Sequence, residues 1–153
     1  MSVAKKLRPS DYIHLHNHTQ YSLLDGLTKV PALMAHVQAL GMKAVAITDH
    51  GTLSGLVEFY KEAKAHDIQP IMGIEAYVAP RHHTDKDPTK DKTYYHLTIL
   101  AMNKRGYQNL MRLSTIANLD GYYYKPRIDH ELLEKFGDGL IILSGCIGGE
   151  IGD

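Results

Sequence analysis

The chain has 153 residues, 17 basic against 17 acidic, with 44% hydrophobic and 22% charged residues. It is therefore long enough for one domain with a real core, it is not disordered, and it has no overall field to draw it onto nucleic acid, so any phosphate binding must be local. No apolar run approaches the ~20 residues of a membrane-crossing helix, residues 1–6 (MSVAKK) lack the apolar stretch of a signal peptide, and a single cysteine, Cys146, fits a reducing cytoplasm and excludes an internal disulfide framework.

In chain order, residues 12–16 (YIHLH) read as a strand, which would point His14 and His16 to one face. Thr28 is placed to cap a helix that begins near Pro31. That helix carries Val30, Leu33, Met34, Val37 and Leu40 at three-to-four spacing and stops at Gly41. Residues 43–48 (KAVAIT) form a second expected strand, delivering Asp49 and His50 at its end. Ser54 then precedes an amphipathic helix with Leu56, Tyr60 and Ala63 on one face, ending before Pro70 with His66 in its last turn. Residues 70–78 and 95–101 are the third and fourth strands. Between them, 81–92 (RHHTDKDPTKDK) has no apolar residue and reads as a solvated loop, in which His82 and His83 are more simply a surface pair than a metal site. Asn103 caps a helix through about Leu119, Asp129 caps a short one (HELLEKF), and Gly137-Asp138-Gly139 leads into a fifth strand, 140–144. Strands alternating with helices predict βαβ units and a parallel sheet, either an open five-stranded sheet or part of a barrel.

On that layout the metal-competent residues fall at equivalent points of successive units. His14 and His16 close the first strand, His50 follows the second, Glu75 lies in the third, His96 near the start of the fourth, and Cys146 follows the fifth. The carboxyl ends of parallel strands converge in space, and His96 fits that rule least well. Each residue has an ordinary alternative: Glu75 paired to a lysine, His96 a buried hydrogen-bonded ring, Cys146 a small core hydrophobe. Five units each placing such a residue on one side favour zinc or a similar first-row ion, with carboxylates able to bridge two ions.

The runs 14–19 (HLHNHT), 22–26 (SLLDG) and 48–51 (TDHG) resemble the first motifs of the PHP (polymerase and histidinol phosphatase) family. Further blocks, 73–78 (GIEAYV), 107–110 (YQNL), 125–129 (KPRID) and 144–146 (SGC), are similar to the branch that forms the N-terminal domain of bacterial replicative polymerases, the DNA polymerase III alpha subunits. The resemblance divides the chain into a tail, 1–10, and a PHP domain, 11–153, incomplete at its C-terminus. It implies an α/β fold, a distorted (β/α)7 barrel of which this chain is the N-terminal part. It also implies three divalent ions, zinc with manganese or iron as alternatives, held by His14, His16, Asp25, His50, Glu75, His96 and Cys146. Glu75 would bridge two ions, one completed by His96 and Cys146, with Asp25 and His50 on a third. The family's last two ligands form an Asp-x-His motif with no counterpart in the chain, so two of the three ion sites would each lack one ligand.

Such a cluster suits phosphoester hydrolysis by a metal-bound water, with no side chain assigned as base. The resemblance implies a 3′–5′ exonuclease acting on a DNA primer end, with Arg127 and Lys125 on the substrate phosphate. Arg127 could equally make an ordinary ion pair near Asp129. The run Tyr122-Tyr123-Tyr124 could stack on bases or pack at a loop edge. Two other readings stand beside it: a catalytically silent module that steadies the polymerase and docks the proofreading subunit and sliding clamp, or a free-standing phosphatase of the histidinol-phosphate kind. No carboxylate pattern for polymerisation and no G-x-x-x-x-G-K-[ST] loop occurs in the chain.

Overall fold

The computed structural model describes residues 7–151; the first six residues of the expected tail and the last two of the expected domain lie outside the described residues. Where the expected tail meets the expected domain, Pro9–Asp11 is a short 3-10 turn, closed by Arg8, whose backbone N–H donates to Asp11 Oδ2 at 3.0 Å.

Helix α1 spans Val30–Ala39, with Lys29 rather than Thr28 at its cap position and Pro31 in its first turn, where a missing N–H costs nothing. It ends because Gly41 turns left-handed, at φ +71°. Strand β1 (Ala44–Ile47) follows, then α2 (Leu56–Ala65), which buries Leu56, Phe59 and Ala63; the expected Tyr60 points to solvent and Phe59 takes its place. Strand β2 (Gln69–Val78) is the spine of the sheet, followed by β3 (Tyr95–Ala101). Helix α3 (Lys104–Leu119) is capped by Asn103, whose side chain accepts from the Gly106 N–H. The two-residue β4 (Arg127–Ile128) was not foreseen. Helix α4 (His130–Phe136) is capped by Asp129, and β5 (Leu140–Leu143) ends the set.

The sheet is mixed, not parallel. β1 and β4 lie along one edge of β2 in parallel, while β3 runs antiparallel to β2 and β5 antiparallel to β3. The cause is the connection: no helix lies between Val78 and Tyr95, so the chain turns back instead of crossing over. This reversal places the start of β3, and hence His96, at the same rim as the end of β2. The expected first strand is also modified. Residues 12–18 are extended but not a strand, held to β1 by Ala46 N–H donating to His14 O at 2.9 Å and Thr48 N–H to Asn17 O at 2.8 Å.

Two apolar clusters brace the sheet. Val30, Met34, Val37, Val45, Ile47, Leu56 and Phe59 join α1 and α2 to β1. Ile74, Ala76, Val78, Ile99, Leu110, Leu113 and Ile128 join β2, β3 and β4 to α3. A fully buried Val, Leu, Ile, Phe or Met side chain contributes about 1.5–3 kcal/mol, and Ala76 less. Because β-strand side chains alternate, β2 gives Ile74, Ala76 and Val78 to this core and turns Glu75 and Tyr77 to the opposite face.

The 79–94 loop is not simply solvated. Asp91 is buried, accepting from Arg81 Nε at 2.8 Å and Nη2 at 2.6 Å and from the Asp87 N–H at 2.7 Å. The Arg81 guanidinium holds the Asp91 carboxyl below its usual 3.8, against the upward push of burial. A carboxyl depressed in the folded state contributes stability above pH 3.8 that is lost as pH falls below it. Asp91→Asn is therefore expected to loosen the loop at neutral pH and to remove part of its acid sensitivity. Limited proteolysis of the loop across pH, wild type against variant, reads this directly.

Candidate metal centre

Glu75 is the middle of the site. It sits in β2 on the face away from the helices, buried, with His50 bridged to it across the strand edge: Gly51 N–H donates to Glu75 O at 2.8 Å and Glu75 N–H to Asp49 O at 3.1 Å. Gly51 makes this approach with φ +62°, and a Cβ there would come within 2.9 Å of both Pro126 and Tyr77. Glycine is needed at this one position for both reasons.

Around Glu75 stand four imidazoles and a thiol. His16 Nε2, His18 Nε2 and His50 Nδ1 lie 3.0, 2.9 and 3.2 Å from Oε2. His96 Nδ1 lies 2.8 Å from Oε1, with Cys146 Sγ 3.9 Å from Oε1 and 3.7 Å from His96 Nδ1. Farther out, His50 Nε2 is 2.8 Å from Asp25 Oδ2, and Asp25 is largely exposed. The elements account for each position. His96 faces Tyr77 across the β2–β3 pair, Cys146 is brought back by the turn after β5, where Gly145 has φ +78°, and His96 N–H donates to Gly148 O at 3.0 Å.

Six of the seven expected ligands thus converge: His16, Asp25, His50, Glu75, His96 and Cys146. His14 does not. Its ring is exposed and packs edge-on to Tyr12 at 4.8 Å, and its place is taken by His18. The register explains the shift. His14 lies beside Ala46 in the body of β1, whereas the site is at the rim past Ile47, which the chain reaches two to four residues later. The overlapping pair His16-Asn17-His18 was the available signal. Asp49 is not a ligand either. Buried, it accepts from Thr19 N–H at 2.6 Å, Thr19 Oγ1 at 2.8 Å and Ser22 Oγ at 2.7 Å, clamping the turn that carries His18 and Asp25. Ser22 Oγ in turn accepts from the His50 N–H at 3.1 Å.

Arg127 departs furthest from expectation. It is fully buried, and its guanidinium donates to four carbonyls: Gly121 O at 3.1 Å, Asp91 O at 3.0 Å, His83 O at 3.1 Å and Asp85 O at 2.7 Å. It is committed to holding the 79–94 loop and does not face a substrate. Lys125 does reach the site, its Nζ 5.3 Å above the Tyr77 ring in a cleft of about 380 Å3 shared with Tyr21, His50, Tyr122 and Tyr124.

The electrostatics suit cations. Burial pushes the Glu75 carboxyl up, but hydrogen bonds from His18 and His16, with the charge of His16 and His50 nearby, bring it down to about 2. The hydrogen bond to Glu75 raises His18, against the opposing effect of burial. Tyr77, desolvated and beside Tyr94 and Glu75, is pushed up to about 12 and stays a neutral phenol. Three ring nitrogens crowd one carboxylate oxygen, each able to donate only in the tautomer that puts its hydrogen on the facing nitrogen, and His50 Nδ1 is buried with no hydrogen-bond partner. A divalent cation among these atoms would satisfy both. Groups within ligand distance of one another are His16–His18–Glu75, His18–Asp25–His50 and His50–Glu75–His96. Imidazole, carboxylate and thiolate are zinc's ligands.

The family model of the PHP domain matches residues 14–153. The chain belongs to the PHP domain family. This PHP domain is 48% identical over 145 residues to the DNA polymerase III subunit alpha of Aquifex aeolicus, covering 91% of this chain and 12% of that one. It is 51% identical over 144 residues to that of Thermus aquaticus, covering 92% and 12%. The PHP domain thus spans about 12% of the length of the relatives it matches. Among solved structures, an amidohydrolase from Chromobacterium violaceum with bound sulfate and no metal aligns with TM-score 0.49 at 23% identity, over 69% of this chain and 33% of that one. No helix among the described residues is long and apolar enough to cross a membrane.

Proposed function

We propose that this PHP domain hydrolyses phosphodiester bonds at a DNA 3′ end, as the N-terminal part of a replicative polymerase working in the cytoplasm. The observation that carries the reading is the split environment of Glu75. Its Oε2 faces His16, His18 and His50, and its Oε1 faces His96 and Cys146, so one buried carboxylate serves two sets of donors. Asp25 with His50 and His18 offers a third. Three divalent ions, zinc or manganese or iron, are the cofactors this implies. When bound, they place positive charge on phosphate oxygens and bring the pKa of water towards neutrality.

The chain's own residues complete the site. Lys125 meets the phosphate from the adjoining cleft, and the exposed rings of Tyr122 and Tyr124 give bases a face to stack on. Tyr77, held as a phenol, donates a hydrogen bond rather than repelling the phosphate. Thr98 Oγ1, 3.5 Å from His16 Nδ1, and the Asp49 clamp keep the imidazoles in place. The remainder of the polymerase chain is the neighbour, and Ile141 and Ile142, exposed on the β5 edge, give it an apolar surface to cover.

The test is release of 3′-terminal nucleotides from a labelled primer–template by the full-length chain, free of any separate exonuclease, under zinc and under manganese. His18→Ala is expected to abolish release and His14→Ala to retain it near the wild-type rate, with polymerisation intact in both. Wild-type release no greater than that of His18→Ala, with metal bound, would leave the domain a structural module.

A further inference from the structure

A second cluster of imidazoles and carboxylates lies where the 79–94 loop meets α4, and it shares no residue with the Glu75 centre. His82, His83 and Asp129 bring three ligand atoms within 4.8 Å of one another. Asp129 is buried, and its Oδ2 accepts from the His83 backbone N–H at 2.8 Å and lies 2.5 Å from His83 Nδ1. His82 Nε2 stands 3.8 Å from that same oxygen and 3.8 Å from Glu131 Oε2. The two rings are 4.4 Å apart, and His82 Nδ1 is fixed by Thr84 Oγ1 at 2.7 Å, which aims Nε2 at the carboxylates. A cleft of about 230 Å3 opens here, with His130 and Glu150 paired at 2.8 Å on its wall. Arg81 also lines it, but its charge is taken up by Asp91 and Asp85.

We infer that this cluster is a second, independent divalent-cation site, suited to zinc, with His82 Nε2, His83 Nδ1, Asp129 Oδ2 and Glu131 Oε2 as its ligands. Two imidazoles and two carboxylates make a tetrahedral zinc set, whose ~2.0–2.1 Å bonds put ligand atoms ~3.3 Å apart. The 3.8 Å gaps close to that by small rotations of His82 and Glu131, whose side chains are 41% and 81% exposed. The His83–Asp129 pair opens to it as the ion replaces the proton between them. Asp129 Oδ1 keeps the Leu132 N–H, so the cap of α4 survives. A plain His83–Asp129 hydrogen bond leaves the convergence of His82 and Glu131 unexplained; a cation accounts for all four. Its effect is to fasten to α4 the same loop whose carbonyls Arg127 gathers.

The experiment uses the full-length chain carrying Glu75→Gln and His18→Ala, which together break all three ligand groups of the central cluster, stripped with chelator and titrated with cobalt(II). One equivalent bound at micromolar free metal, with the visible bands of tetrahedral cobalt and displaced by zinc, is expected. Adding His82→Ala and Glu131→Ala should weaken it by about 100-fold or more, without changing the thermal unfolding midpoint measured in chelator, since both side chains are exposed. Identical cobalt binding with and without His82→Ala and Glu131→Ala overturns the site, as does absence of binding by a natively folded chain carrying only Glu75→Gln and His18→Ala. His82→Ala and Glu131→Ala in a chain with Glu75 and His18 intact should leave 3′-end release at the wild-type rate, which separates this site from the central one.

Discussion

Glu75→Gln is expected to strip metal from both donor sets that face Glu75 and to lower 3′-end release by roughly 10^3-fold or more while the domain stays folded. Outer-shell partners of a metal site typically cost 10–100-fold when removed, and Glu75 is placed inside that shell, against two donor sets at once. Gln is isosteric, so the packing of β2 against α3 through Ile74, Ala76 and Val78, which face the other way, is untouched. What changes is charge. The Glu75 carboxyl is held near 2 and is fully ionised at neutral pH, and among the described residues it is the only anion within 3.2 Å of His16, His18 and His96. A neutral amide cannot bridge two cations. Metal analysis by mass spectrometry should show ions lost from both donor sets, with circular dichroism unchanged. Full metal content with lost activity would instead make Glu75 a group that acts on substrate.

The residues that carry this expectation were largely legible in the chain, and the exceptions have a common cause. Motifs such as Thr48-Asp49-His50-Gly51 fix which residues sit at a strand end, because a short β-branched run followed by Gly can hardly be anything else. They do not fix register. Three alternate histidines, His14, His16 and His18, look equivalent by periodicity, and only the pairing of His14 with Ala46 and of Asn17 with Thr48 shows which of them reach the rim. His96 is the same problem on a larger scale. As the start of a parallel strand it would lie at the wrong end of the sheet, and it joins the site because β3 runs antiparallel. The helix-free 79–94 connection was the legible clue to that reversal, and alternation of elements elsewhere masked it. Helix caps at Asn103 and Asp129 were readable because capping is local, each satisfied by an N–H three residues on. The contacts of Asp49 and Arg127 are long-range, and no local pattern announces them.

Arg127→Ala is expected to destabilise the domain by about 3–5 kcal/mol, the cost of leaving several buried carbonyls without a donor at about 1–3 kcal/mol each, reduced by partial relaxation. Burial pulls the guanidinium below its usual basicity while Asp91, Tyr123 and Asp85 pull it back, so the charge is kept and has its partners inside the fold. Its removal leaves the carbonyls of Asp91, His83 and Asp85 without their donor, the first two in a buried site, while Gly121 O keeps only the backbone N–H of residue 127 at 3.4 Å. Arg127→Lys should recover little. A single ammonium cannot span four carbonyls that a planar fork reaches from three nitrogens. Hydrogen exchange in the full-length chain should show protection lost first in 79–94 and in the turn around Gly121, since those are the segments the guanidinium joins. A phosphate-binding Arg127 would behave oppositely, leaving exchange and melting unchanged and raising only the KM for DNA. Lys125→Ala is the matched comparison. It lies two residues away in the same Lys-Pro-Arg run, yet its Nζ is on the cleft side, over Tyr77. Weaker DNA binding from Lys125→Ala with stability intact, against lost stability from Arg127→Ala, would divide the motif into one residue for the substrate and one for the fold.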